Sequence, residues 1–150
     1  MILQKLNDDL KAALLAGDSL RVSVLRGLKS VILYAEVAEG KREEGLTDEA
    51  ILQIFAKEAK KRQESADLYV QGGDQARADK EIQEKAMIEA YLPKQLSEDE
   101  LQALIADSIK ALQPAGLQDM GKVIGAVKAK AGATADGALI ARLVKERLSA

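Results

Sequence analysis

Cysteine and histidine are both missing from the 150 residues of this chain. Their absence excludes thiol nucleophiles, disulfides, Cys/His zinc sites and every catalytic arrangement that uses imidazole as its base. Aromatic residues amount to only 3% and proline occurs twice, so base stacking has little to work with and helices have few breakers. No apolar run approaches the ~20 residues of a membrane span. The opening MILQKLNDDL lacks the cationic and long apolar regions of a secretory leader. These absences point to a cytoplasmic protein. Gly72-Gly73-Asp74 is not followed by the Gly-Lys-Ser/Thr of a phosphate loop. No pair of carboxylates stands apart as an acid–base couple, and Glu43-Glu44 and Glu98-Asp99-Glu100 read as loop and helix-start charge. The sequence thus offers no nucleophile–base pair, no metal ligand set and no cofactor motif, and reads as a chain without catalytic activity of its own.

What is present favours helix. Alanine, leucine, lysine and glutamate dominate a composition that is 47% hydrophobic, and β-branched residues come singly rather than in alternating runs. The expected fold class is all-α. Leu3, Leu6, Leu10 and Leu14 recur at helical spacing over residues 2–16, and Gly17 stops them. Asp18 caps a second helix, Ser19 to Glu39, whose apolar stripe is Val24, Leu25, Leu28, Val31, Ile32 and Ala35. After the loop GKREEG, Thr47 caps a third, with Leu46 and Ile51 as a hydrophobic staple, running to Gly72-Gly73. A charged fourth helix spans Asp74 to Tyr91 and ends before Pro93. Ser97-Glu98-Asp99-Glu100 is a capping box that opens a fifth, closed near Leu112 by Pro114 and Gly116. A sixth covers Asp119 to Lys130, and Asp136 caps a seventh carrying Leu139, Ile140, Leu143, Val144 and Leu148. The layout is a four-helix domain over residues 1–92 and a three-helix bundle over 93–150.

The net charge of −2 hides an uneven distribution. Residues 1–92 hold 14 Lys+Arg against 17 Asp+Glu, a net of −3, whereas 93–150 hold 8 against 7, a net of +1. From Gly121 onward six basic residues face two acidic ones. The C-terminal end is therefore the better place to meet a polyanion.

Within that end, DMGKVIGAVKAK (119–130) reads as a helix and yet carries Gly121 and Gly125, at a cost of roughly 1 kcal/mol each relative to alanine in a helix interior. Met120, Val123, Ile124, Val127 and Ala131 fall on one stripe and should face the core. Gly121 and Gly125 fall on the other side, with Ala129 in line and Lys122 and Lys128 flanking. Bare backbone edged by lysines suits phosphates, since small residues permit close approach and ammonium groups neutralise charge. The same Gly-x-x-x-Gly-x-x-x-Ala spacing also suits close packing of another helix, and periodicity alone favours that reading. Lys130, Arg142 and Lys145 would add charge to an RNA contact.

Elsewhere the cations read as solvated faces. Lys57, Lys60 and Lys61 share a side of the third helix with Glu64, and Glu58 precedes Arg62 by four residues. Arg26 and Lys29 lie on the polar side of the second helix. Phe55 and Tyr69 fall near apolar stripes, leaving only Tyr34 and Tyr91 for stacking, so any RNA contact would be to backbone and shape.

Three stretches in order, Tyr91-Leu92-Pro93-Lys94-Gln95-Leu96-Ser97, Asp119-Met120-Gly121-Lys122-Val123 and Ala135-Asp136-Gly137, resemble the YqeY family. RVSVLRGLKSVI and KEAKKRQES extend the resemblance over the whole chain. In that family the C-terminal region is similar to the tail domain of the B subunit of the glutamine-dependent aspartyl/glutamyl-tRNA amidotransferase, a helical bundle that contacts tRNA. The resemblance implies the four-plus-three helix layout and makes tRNA, or a tRNA-linked enzyme, the leading partner. It moves the expectation for Gly121, Lys122 and Gly125 from helix packing to RNA, leaving a protein–protein adaptor as the alternative. The amidotransferase's chemistry lies in a catalytic body that this chain lacks, so a carbon–nitrogen ligase activity is implied only by inheritance. Where family members read Gly-Arg-Ala-Asp-Gly before the last helix, this chain has Gly132-Ala133-Thr134-Ala135-Asp136-Gly137, with Thr134 in place of the usual arginine.

Overall fold

The periodic stripes do become helices in the computed structural model, which describes all of residues 1–150. In chain order they are α1 (Ile2–Ala16), α2 (Ser19–Ala38), α3 (Asp48–Gln71), α4 (Gln75–Glu89), α5 (Glu98–Leu112), α6 (Met120–Ala131) and α7 (Gly137–Ser149). Single 3-10 turns, Leu117–Asp119 and Gly132–Thr134, precede α6 and α7. There is no strand, and no helix is long and apolar enough to cross a membrane. Contacts divide the chain into two compact units, Met1–Leu92 and Pro93–Ala150.

In the first unit, α1 stops because Gly17 adopts a left-handed conformation, φ 69°. That turn lets the amide of Asp18 donate back to the carbonyl of Ala13 at 3.1 Å. The Asp18 carboxylate then accepts from the amide of Arg21 and starts α2, and Thr47 Oγ1 accepts from the amide of Ala50 to start α3. Phe55, Leu6, Leu25, Ile32, Ile51 and Ile88 form the centre of the core. Truncating the fully buried Phe55 to alanine costs about 3–5 kcal/mol. Leu14 departs from the expected α1 stripe and is 50% exposed, while Ala13 is buried. At about 100° per residue Ala13 sits some 20° round from Leu6 and Leu14 some 80°, so alanine takes the inward place.

Helix α2 ends at Ala38, one residue before the expected boundary, and α4 ends at Glu89, two residues before Tyr91. The amides of Tyr91 and Leu92 tighten to the carbonyls of Ile88 and Glu89, at 3.1 and 3.0 Å. Pro93 disfavours helical geometry in the residue before it, which accounts for the tightened end. Tyr91 is not available for stacking on nucleic acid. Its ring meets Phe55 edge-on at 5.5 Å, Lys5 Nζ lies 4.7 Å from the ring centre, and its hydroxyl donates to Asp9 Oδ2 at 2.5 Å. Burial and then the Asp9 hydrogen bond push the Tyr91 phenol well above its ordinary range. Hydrogen bonds from Lys5 and Tyr91 hold the Asp9 carboxyl below its own.

Arg62 also departs from expectation. It reaches from α3 to Glu81 and Glu84 on α4, at 3.5 and 3.3 Å, while Glu58 pairs with Lys61 at 3.0 Å. The guanidinium therefore bridges two acids on α4, and Lys61 takes the place on Glu58.

In the second unit the capping box forms in both directions. The amide of Glu100 donates to Ser97 Oγ at 3.1 Å and the amide of Ser97 donates to Glu100 Oε2 at 3.0 Å. Leu101, Ile105, Val123, Val127, Ile140, Leu143 and Val144 build a separate core from α5, α6 and α7. The entry to α5 is tied to the turn before α7, where the Leu96 amide donates to the Thr134 carbonyl at 2.8 Å and Gln95 Nε2 to the Ala133 carbonyl at 2.9 Å.

Candidate nucleic-acid interface

Helix α6 is oriented by its apolar side. Val123, Val127 and Ala131 are buried, with Met120 and Ile124 half-buried against the same core. That anchors one face and turns the other outward. Gly121 and Gly125 are exposed, and a Cβ added to either would meet nothing within 4 Å. Neither glycine is required by packing within the folded unit or by a left-handed backbone, because both have negative φ. Their cost in helix propensity is therefore not offset by any contact seen here.

The start of α6 lies one residue later than the sequence suggests, because Asp119 closes a 3-10 turn. Its Oδ2 accepts from the amide of Ala115 at 2.8 Å, and its Oδ1 lies 3.7 Å from Lys122 Nζ. Lys122 is 79% exposed, so this pair is loose and screened. Lys128 falls almost in line with the glycines. Its Cε and Nζ lie 3.1 and 3.3 Å from the place that a Cβ on Gly137 would occupy. The glycine of Ala135-Asp136-Gly137 thus lets the lysine stem fold over the first residue of α7, a relation invisible in the sequence.

The other candidate cations do not gather on this face. Lys130 is about 180° round from Gly121 at 100° per residue, and with Lys128 it occupies the last turn of α6, where cations also complement the helix dipole. Arg142 and Lys145 are exposed on α7. Arg142 Nη1 pairs with Glu146 Oε1 at 3.0 Å. The structure therefore brings together Gly121, Gly125 and Lys128, with Lys122 at their edge, and leaves Lys130 and the α7 pair as separate cations.

Thr134 has an internal role. Its hydroxyl donates to the carbonyl of Ala131, and its own carbonyl accepts from Leu96, so the residue closes the end of α6. Leu117 was not singled out by periodicity because it precedes the helix; it is 48% exposed one turn before Gly121. Its place four residues before Gly121 and eight before Gly125 is the signal that could have found it. Nowhere in the chain are three or more acidic side chains grouped as a metal site would need.

A search of curated proteins found no match to this chain. The sequence profile described as "Yqey-like protein" matches residues 3–148, nearly its whole length. The chain belongs to the YqeY family.

Proposed function

We propose that this protein is a non-catalytic tRNA-binding or tRNA-amidotransferase-associated accessory protein, in which a four-helix domain carries a three-helix RNA-contacting domain. The observation that carries the reading is the open glycine face of α6, with Lys122 and Lys128 beside exposed backbone. Phosphates approach such a surface without displacing a side chain, and the lysines replace condensed counterions. Lys130, Arg142 and Lys145 add long-range attraction rather than contacts on that face. Titration of tRNA at low and moderate salt tests this: binding should weaken steeply as salt rises, and no binding at either salt removes the proposal.

A protein–protein adaptor is the second reading, favoured by Leu117. A partner helix laid along Leu117, Gly121 and Gly125 would gain an apolar anchor and close backbone approach. Gly121→Leu should impair either partner. Lys122→Glu with Lys128→Glu should impair only RNA.

A further inference from the structure

The outward face of α2 is unlike the rest of this highly charged chain. Ser19, Ser23, Gly27, Ser30, Leu33, Tyr34 and Val37 are all exposed along it, with Arg26 as the single charge among them. Tyr34 is 74% and Val37 61% exposed, so the C-terminal half presents large apolar side chains to solvent. The N-terminal half carries a hollow of about 480 Å³ lined by Leu14, Gly17, Ser19, Val22, Ser23 and Arg26. Gly27 lies between the two, and a Cβ added there would meet nothing within 4 Å.

We propose that this face is a self-association surface, on which Tyr34 of one copy of the chain enters the Leu14/Val22/Ser23/Arg26 hollow of a second copy. The face is self-complementary. At about 100° per residue the helix residues of the hollow and the projecting Leu33, Tyr34 and Val37 centre on the same side of α2. Along the axis they lie roughly 18 Å apart at 1.5 Å per residue, evenly disposed about Gly27 and Ser30. A twofold axis through that midpoint runs two α2 helices antiparallel and places each projection over the other copy's hollow, the relation an isologous dimer requires. The small residues at the midpoint permit close approach. Arg26 at the rim of the hollow meets the incoming tyrosine face as a cation–π partner. No ion pair holds Arg26 or Lys29 elsewhere, and the face has no acidic residue to repel a second copy. A contact about 27 Å long and one helix wide is at the small end of specific interfaces, so the dimer should be weak, with association in the micromolar range.

Sedimentation velocity over a concentration series, with full-length protein and no RNA, should show a monomer–dimer equilibrium. Tyr34→Ala and Gly27→Leu should each weaken it by about tenfold or more, with unchanged helical circular dichroism, while Tyr34→Phe retains it. Because the chain has no cysteine, Ser30→Cys should form a disulfide-linked dimer under mild oxidation, whereas Ser19→Cys, far from the axis, should not. A protein that stays monomeric at the highest soluble concentration overturns the proposal. So does a dimer unaffected by Tyr34→Ala, or one in which both cysteine variants link equally. The surface lies on the first unit, so failure of tRNA binding by the second leaves this test intact.

Discussion

Replacing Gly125 by alanine should make the second unit more stable. Gly125 sits in the middle of α6 with a negative φ, and the added Cβ meets nothing within 4 Å. Neither strain nor a clash offsets the gain in helix propensity, which is about 1 kcal/mol for an interior glycine. Phe55 and all three tyrosines lie in the first unit, so aromatic fluorescence does not report on α6. Amide hydrogen exchange at the buried Val123 and Val127 does, and 1 kcal/mol should slow exchange there by about fivefold. The same substitution should weaken tRNA binding, because the methyl occupies the space through which phosphates approach. Destabilisation by Gly125→Ala would refute the open face, since it would mean that something packs against that glycine. A stabilised protein with unchanged RNA affinity would refute the use of the bare backbone.

Tyr91→Phe should destabilise the first unit by about 1 kcal/mol at neutral pH, as one half-exposed hydrogen bond to a carboxylate is lost. Asp9 has a lowered pKa in the folded state, so its contribution is present above the ordinary carboxylate range and lost as pH falls through the folded value; wild type and variant should therefore converge in acid. Tyr91, with its pKa raised, works in the opposite sense. Its contribution is present below the ordinary tyrosine pKa and lost as pH rises through the raised folded value, so phenolate absorbance should show Tyr91 ionising above the ordinary tyrosine range, a late step that Tyr91→Phe removes. Ser108→Ala should stabilise the second unit by about 1 kcal/mol in urea unfolding, because its hydroxyl is buried without a hydrogen-bond partner. Ser97→Ala should cost about 1 kcal/mol by removing the capping box, read as faster exchange in the first turn of α5.

Helix existence and most boundaries were legible because their signals are local. Thr47, Ser97 and Asp136 each cap within three residues, and Gly17 stops α1 by its own backbone preference. What periodicity missed depends on contacts that sequence distance hides. Tyr91 is held by Asp9, 82 residues away, and Arg62 by acids on the next helix. The glycine face of α6 was legible as a direction, since burial of Val123 and Val127 turns Gly121 and Gly125 outward. Its edge was legible only in part: Lys122 and Lys128 follow from the period, whereas the lean of Lys128 over Gly137 is a contact between helices and Leu117 belongs to a 3-10 turn before α6.

The most direct test of RNA contact through α6 is the salt dependence of tRNA affinity for wild type and for Lys122→Glu with Lys128→Glu. If both lysines neutralise phosphates, the double variant should bind more weakly, and the slope of log K against log salt should fall by about 2. An unchanged affinity and slope would contradict the account.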